Sequence, residues 1–105
     1  MIAQSFFVSG EVHKRAVKLP NGETHDLFFK EIPATEFRRF SLSEQSPDED
    51  VRISSIGKLI CASLCNEDGS AAITLEQALK LNAPAMNAIF EQVLFVNGQG
   101  AEKKG

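Results

Sequence analysis

The chain contains two cysteines, Cys61 and Cys65, spaced four residues apart. On a helix this spacing places both thiols on one face, where they could bind a metal ion or undergo redox chemistry. A tetrahedral zinc site needs two further ligands, and the only histidines, His13 and His25, belong to a different predicted element. A redox pair typically has Cys-x-x-Cys spacing, which is absent. We therefore interpret both cysteines as small apolar residues of a reducing compartment.

Three consecutive acidic residues, Asp48, Glu49 and Asp50, are the other group that could bind a cation. Their spacing lacks the alternating ligands and central glycine of a calcium loop, which favours solvated loop charge. The two histidines are expected to face each other across a hairpin surface, with no nucleophile aimed at them. The chain also lacks glycine-rich phosphate loops and the Gly-x-Ser-x-Gly elbow of hydrolases. We predict that the protein is not an enzyme and that it binds no cofactor and no metal.

Length and charge limit the classes of function further. The chain has 105 residues, and we predict a single domain over residues 1–98 and a disordered tail over residues 99–105. The net charge is −3 and the basic residues are scattered, so we expect no nucleic-acid partner. No apolar run approaches the roughly 18 residues of a membrane span, and the N-terminus lacks the basic region of a signal peptide. We expect no membrane partner and a protein that stays in the compartment where it is made.

The N-terminal third has the pattern of β-strands. Residues 4–9 form a short apolar run, and residues 11–19 alternate between two faces. The sequence Pro-Asn-Gly follows, which is a strong turn signal because its glycine accepts a positive φ. A third run covers residues 24–32. We predict that the last two runs form a β-hairpin.

Helical spacing dominates the rest of the chain. A short helix is predicted from Pro33 to about Ser41, because proline suits the first turn. A second helix is predicted from Val51, with a strand over residues 58–65 as the competing interpretation. Its apolar residues recur at steps of three and four and comprise Ile53, Ile56, Ile60 and Leu64.

Two further helices are predicted after a turn at residues 66–69. Thr74 and Gln77 have capping-box spacing and begin a helix over residues 75–80. The last helix restarts at residues 82–84 and ends at Asn97 and Gly98. Its apolar stripe comprises Met86, Ile89, Phe90, Val93 and Leu94. Because the strands precede the helices, we predict an α+β fold: an N-terminal β-hairpin or small antiparallel sheet followed by a helical C-terminal two-thirds.

The C-terminal third carries an ordered set of motifs. An apolar stretch at residues 59–65 precedes an acidic turn with glycine, a short helix at residues 73–81, and a helix that ends in an apolar-Asn-Gly cap. Together with an extended run into Pro-Ala-Thr-Glu-Phe over residues 27–40, this pattern resembles the tail assembly chaperones of siphophage-type, long-tailed bacteriophages. The resemblance covers roughly residues 25–100. Its motifs are packing and capping motifs rather than catalytic ones.

The resemblance implies an assembly factor of the host cell cytoplasm. Such a protein binds the tape measure protein and helps to recruit the tail tube subunit, which prevents premature aggregation. Two other functions stay open at this point. One is a structural component of a phage particle, such as a tail terminator or a head–tail joining protein. The other is a small regulatory protein-binding module.

The aromatic residues indicate where a partner could bind. The chain has eight phenylalanines and neither Trp nor Tyr, which can exceed what so small a core needs. Phe37 and Phe40 share a helix face, whereas Phe90 and Phe95 cannot both be central on one face of the last helix. We predict these four as partner-binding residues; the alternative is that all four belong to the core. The exposed hairpin edge and a Phe-rich surface also predict self-association.

Overall fold

An antiparallel hairpin opens the fold, as predicted. The structure, a computed structural model, describes residues 2–98, and the predicted disordered tail at residues 99–105 lies outside the described residues. Strand β1 (Val12–Lys18) pairs with β2 (Thr24–Lys30) along their whole length. In the turn, the Leu19 N–H donates to the Glu23 carbonyl at 2.8 Å. Gly22 adopts a φ of +95°, which explains the glycine of the Pro-Asn-Gly signal.

A third strand, β3 (Leu64–Cys65), completes the sheet and was not predicted as a separate element. It pairs antiparallel with β2, so the strand order is β1-β2-β3 and β2 lies in the centre. The described residues therefore form an α+β fold with a three-stranded sheet at the N-terminal side and helices after it, which confirms the predicted class.

Helices α1 (Ala34–Glu44) and α2 (Glu49–Ser63) form the first helical layer. Helix α1 follows Pro33 and continues three residues past its predicted end at Ser41. Helix α2 begins two residues before its predicted start, because the Asp48 carboxylate accepts the Asp50 N–H at 2.9 Å and caps it.

The end of α2 differs from the predicted helical stripe. Leu64, the last residue of that stripe, lies in β3 rather than on the helix, so the competing strand is correct for the last two of its residues. The Ser63 hydroxyl donates to the Lys30 carbonyl at 2.8 Å, which ties the helix end to β2. Ile53, the first residue of the stripe, is 58% exposed, whereas Ile60 is fully buried.

The last two helices agree with their capping signals. Helix α3 (Leu75–Ala78) has the reciprocal capping box: the Thr74 N–H donates to Gln77 Oε1 at 2.9 Å, and the Gln77 N–H donates to Thr74 Oγ1 at 3.2 Å. Helix α4 (Ala83–Val96) follows Asn82, whose side chain accepts the Ala85 N–H. Helix α3 is two residues shorter than predicted.

The apolar run at residues 4–9 was predicted as a strand, and that prediction is wrong. Gln4–Phe6 form a single 3₁₀ turn, and every described residue before Val12 is exposed. The run pairs with no strand: β1 is bonded on one side to β2, and residues 2–10 form no backbone hydrogen bonds with its other side. Local bonds shape it instead, with the Phe7 N–H donating to the Gln4 carbonyl at 3.0 Å.

The core lies between one face of the sheet and helices α2 and α4. Phe29 of β2, Ile60 of α2 and Val93 of α4 are all fully buried in one cluster. The same cluster includes Val17, Ile32, Leu59, Leu64 and Ile89. The side chains of β1 alternate between this covered face and the opposite face, which is open at β1 and buried at Cys65 of β3.

Asn97, just after α4, joins the helix end to the strand–helix connection. Its Oδ1 accepts the Ile32 N–H at 2.8 Å, and its Nδ2 donates to the Val93 carbonyl at 2.8 Å. The residues are 65 positions apart in sequence for the first of these bonds. Asn97 therefore ends α4, as its Asn-Gly signal predicts, and also joins the end of α4 to the connection between β2 and α1.

We expect Asn97→Ala to lower the free energy of unfolding by about 1–3 kcal/mol, because the Ile32 N–H loses its acceptor in a part-buried site. Urea denaturation followed by circular dichroism measures the change. Asn87→Ala is the matched control, since Asn87 is exposed on α4 and its side chain makes no hydrogen bond within residues 2–98. Equal losses in both variants would contradict the role of the Asn97 bond.

Candidate protein-binding surface

Two of the four predicted partner-binding residues contact each other. The ring centroids of Phe40 on α1 and Phe90 on α4 are 5.7 Å apart, and the rings are tilted by 47°. Both side chains are half-buried and pack against the core cluster. This geometry is a favourable aromatic contact within the domain. The contact joins α1 to α4.

Phe95 lies apart from that pair. Its side chain is 40% exposed, and the Arg15 guanidinium carbon lies 4.0 Å from its ring centroid. Arg15 Nε also donates to Gln92 Oε1 at 2.8 Å, which holds the guanidinium in place between β1 and α4. The cation–π contact covers one face of the ring and leaves the rest accessible.

Phe37 is half-buried against the core and also lines a surface cleft with the N-terminal run. We call this cleft the aromatic cleft and define it by its apolar residues, which are Phe6, Phe7, Val8, Ile32 and Phe37. Ser5, Glu31, Ala34 and Asn97 complete its lining. The structure thus separates the four predicted phenylalanines into an internal pair, one cleft residue and one residue on the sheet side of α4.

The most exposed phenylalanines are ones that sequence analysis did not select. Phe6 is 74% exposed, Phe7 is 54% exposed and Val8 is 48% exposed. Three adjacent large apolar side chains cannot be a strand buried on one face, since alternate residues would point to opposite sides. The signal that could have identified them is the absence of alternation in this run, bounded by polar Gln4, Ser5 and Ser9.

Hydrogen bonds tether the exposed run to the domain. The Ser9 N–H donates to Glu31 Oε1 at 3.0 Å, and the Glu11 N–H donates to Ser9 Oγ at 3.0 Å. These bonds tie the Phe6–Phe7–Val8 run to the domain at its Ser9 end, while the bonds of the 3₁₀ turn on the other side are local to the run. Anchored apolar side chains lose less conformational entropy on binding than those of a free terminus.

The prediction that His13 and His25 face each other across the hairpin is wrong. Register places His13 opposite Phe29 and His25 opposite Val17, so the two histidines do not face each other. His25 Nε2 lies 3.0 Å from Glu23 Oε1, and this hydrogen bond lowers the pKa of the Glu23 carboxyl. The pair is on the exposed turn of the hairpin, away from the aromatic cleft.

The two cysteines do not share a helix face. Cys61 lies on α2, whereas Cys65 is in β3, where it pairs with Phe28. Burial raises the pKa of both thiols, which favours the neutral, unreactive form. Among residues 2–98, no three His, Cys, Asp or Glu side chains come together in a way that could hold a metal ion.

The three consecutive acidic residues at positions 48–50 stabilise the start of helix α2. Asp48 caps α2, and Glu49 and Asp50 occupy its first turn, where negative charge is favoured by the helix dipole. A second acidic position, Asp68, accepts hydrogen bonds from the Ser70 hydroxyl at 2.6 Å and the Ser70 N–H at 2.9 Å, which lower the pKa of its carboxyl. The first arrangement starts a helix, and the second shapes the turn at residues 66–70.

Comparisons with family models, with curated proteins and with solved structures found no match for this chain. Within the part of the chain that the structure describes, no helix is both long enough and apolar enough to cross a membrane.

The cysteine environments predict a pH dependence of stability. Because the folded thiols have raised pKa values, the unfolded thiols ionise first as the pH rises. Stability from the neutral thiols is fully present below about pH 8.5 and is lost as the pH rises through the folded pKa. We expect the free energy of unfolding to decrease from pH 8 to pH 10 in urea denaturation. The double variant Cys61→Ala, Cys65→Ala should show a flatter profile, and an equally steep one would exclude the thiols as the cause.

Proposed function

We propose that this chain is a protein-binding module that works without catalysis, and specifically a tail assembly chaperone of a long-tailed bacteriophage. Its partners in this proposal are the tape measure protein and the tail tube subunit, which it binds in the host cell cytoplasm. The observation that carries the proposal is the aromatic cleft, in which Phe6 and Phe7 are more than half exposed on a segment that is hydrogen-bonded to the domain at Ser9.

The aromatic cleft has the composition of a binding surface. The exposed rings of Phe6 and Phe7 supply apolar area that a partner can remove from water, at about 25 cal/mol per Å². Polar groups of Ser5, Glu31 and Asn97 lie among its lining residues, and protein interfaces combine apolar and polar groups. Adjacent exposed rings on a small domain favour an apolar stripe on the partner, such as one face of an amphipathic helix.

The narrower assignment rests on the resemblance of residues 25–100 to the phage chaperones. A tape measure protein is a long helical protein, so it offers the apolar stripes that the cleft fits. The cleft includes Phe37, which lies in the Pro-Ala-Thr-Glu-Phe segment of that resemblance. The proposal includes self-association through the same exposed rings. A second copy bound there would compete with the partner for the cleft.

Co-expression with the tape measure protein encoded by the same phage tests the proposal. We expect the two chains to elute together in size-exclusion chromatography, with the tape measure protein more soluble than when it is expressed alone. Recovery of the chain in stoichiometric amounts from purified particles, without a soluble complex, would support a structural component instead. Binding to neither partner would leave the regulatory module as the better assignment and would overturn the chaperone proposal.

A paired substitution locates the binding surface. Phe6→Ser with Phe7→Ser should weaken partner binding by about thirtyfold or more, the effect of losing a hot spot of at least about 2 kcal/mol. Stability should change by less than about 0.5 kcal/mol per site, because both rings are exposed. Leu42→Ser with Ile53→Ser is the matched control, since these side chains are 62% and 58% exposed on α1 and α2 and do not line the cleft. Equal loss of binding in both variants would refute the assignment to the cleft.

A further inference from the structure

The free edge of β1 is a second surface with unused binding capacity. Strand β1 is at the end of the order β1-β2-β3, so only one of its sides is paired. Its seven residues pair with β2 without a bulge, and they contain no proline. Such an edge offers about 23 Å of regular backbone to an added strand.

The turn determines which backbone groups point outward. The Leu19 N–H donates to the Glu23 carbonyl, so Leu19 and Glu23 form a hydrogen-bonded pair. Hydrogen-bonded and non-hydrogen-bonded pairs alternate along an antiparallel ladder, and the register is continuous from Lys18 back to Val12. His13, Arg15 and Val17 therefore bond to β2. The N–H and C=O groups of the intervening residues, which are Val12, Lys14, Ala16 and Lys18, point away from β2.

These outward groups have no hydrogen-bond partner within residues 2–98. The side chains of Lys14, Ala16 and Lys18 are exposed on the open face of the sheet. The outward backbone and the exposed side chains therefore belong to the same three residues. An added strand would bond to each of them and place its own side chains directly opposite theirs.

The charged side chains of β1 are all basic. Neither Lys14 nor Lys18 forms an ion pair with any described residue. Asp26 lies opposite Ala16 on β2, diagonal to both lysines, and it too forms no ion pair. Strand β1 contains no acidic residue. Antiparallel pairing with β1 of a second copy would bring like charges together, whereas an acidic strand would be attracted.

We propose that the free edge of β1 binds an extended, acidic segment of a partner protein as a fourth strand. Acidic residues four positions apart on that segment lie opposite Lys14 and Lys18, with a small residue between them opposite Ala16. This spacing reads the same in both directions, so it fits a parallel or an antiparallel strand. The residues in between face the covered side of the sheet near Arg15 and Phe95, where apolar side chains are favoured.

Amide hydrogen exchange of the ¹⁵N-labelled protein tests this binding mode. The probe is a nine-residue peptide in which every second residue is valine. The residues between the valines are threonines and two glutamates, and the glutamates are four positions apart. The control peptide has lysine in place of each glutamate. We expect the acidic peptide to slow exchange at Lys14, Ala16 and Lys18 by about tenfold or more, since these amides gain a bond. The amides of His13, Arg15 and Val17, already bonded to β2, should change little. No slowing, or equal slowing by both peptides, would overturn the proposal.

Ala16 allows a backbone test. Ala16→Pro removes an outward N–H without removing a bond to β2, and proline is tolerated at such edge positions. It should abolish peptide binding, whereas Ala16→Val, which keeps the N–H, should retain it. Protection of Val17 shows that the variant is folded. Retained binding by folded Ala16→Pro would contradict strand addition.

The paired substitution Lys14→Glu, Lys18→Glu covers the case in which Ala16→Pro does not fold. It should weaken binding of the acidic peptide by about two- to thirtyfold, the range for two cross-strand charge pairs. Unchanged affinity would refute the acidic specificity. Concentration-dependent protection of the same amides without peptide would identify a second copy as the occupant and overturn the proposal.

This inference goes beyond the proposed function, and different experiments can refute the strand-addition proposal and the cleft proposal. The Phe6→Ser, Phe7→Ser variant leaves the β1 edge intact and should bind the acidic peptide as the unmodified protein does. Loss of peptide binding in that variant would contradict the independence of the two surfaces.

Discussion

The fold depends on the double pairing of β2 around a fully buried Phe29. Phe29 lies opposite His13 on β1 and Leu64 on β3, and it belongs to the same buried cluster as Ile60 and Val93. A register shift of one residue would turn this ring to the open face of the sheet. The buried position of this one side chain therefore constrains the register of the hairpin, the end of α2 and the packing of α4.

The same pairing explains where sequence analysis succeeded and where it failed. The hairpin was predictable because Pro-Asn-Gly determines its turn and register locally, and the starts of α3 and α4 were predictable from their caps. Helical spacing continues through Leu64, yet the helix ends at Ser63 because Leu64 pairs with Phe29. That pairing joins residues far apart in the chain, and no local pattern records it.

The candidate surface was less predictable than the fold. A count of eight phenylalanines indicates surplus apolar area without showing which rings remain outside. Helical spacing identified Phe37 and Phe40 as neighbours, but Phe40 meets Phe90 across two helices, and Phe37 reaches the aromatic cleft. Phe6 and Phe7 remain exposed on a run that pairs with no strand, and the one sequence signal for this is the lack of alternation at residues 6–8.

The small size of the domain explains why apolar side chains remain exposed and why backbone groups of β1 remain unpaired. A domain of this length buries a smaller share of its surface than a larger one, and its single core already occupies one sheet face with α2 and α4. The aromatic cleft lies where β2 ends, at Glu31 and Ile32, and the Phe6–Phe7–Val8 run enters β1 only four residues later. The cleft and the free edge therefore adjoin at the same end of the hairpin. The adjoining parts of the surface therefore differ in chemistry: unpaired backbone and basic side chains lie along the strand, and exposed apolar side chains lie at its end.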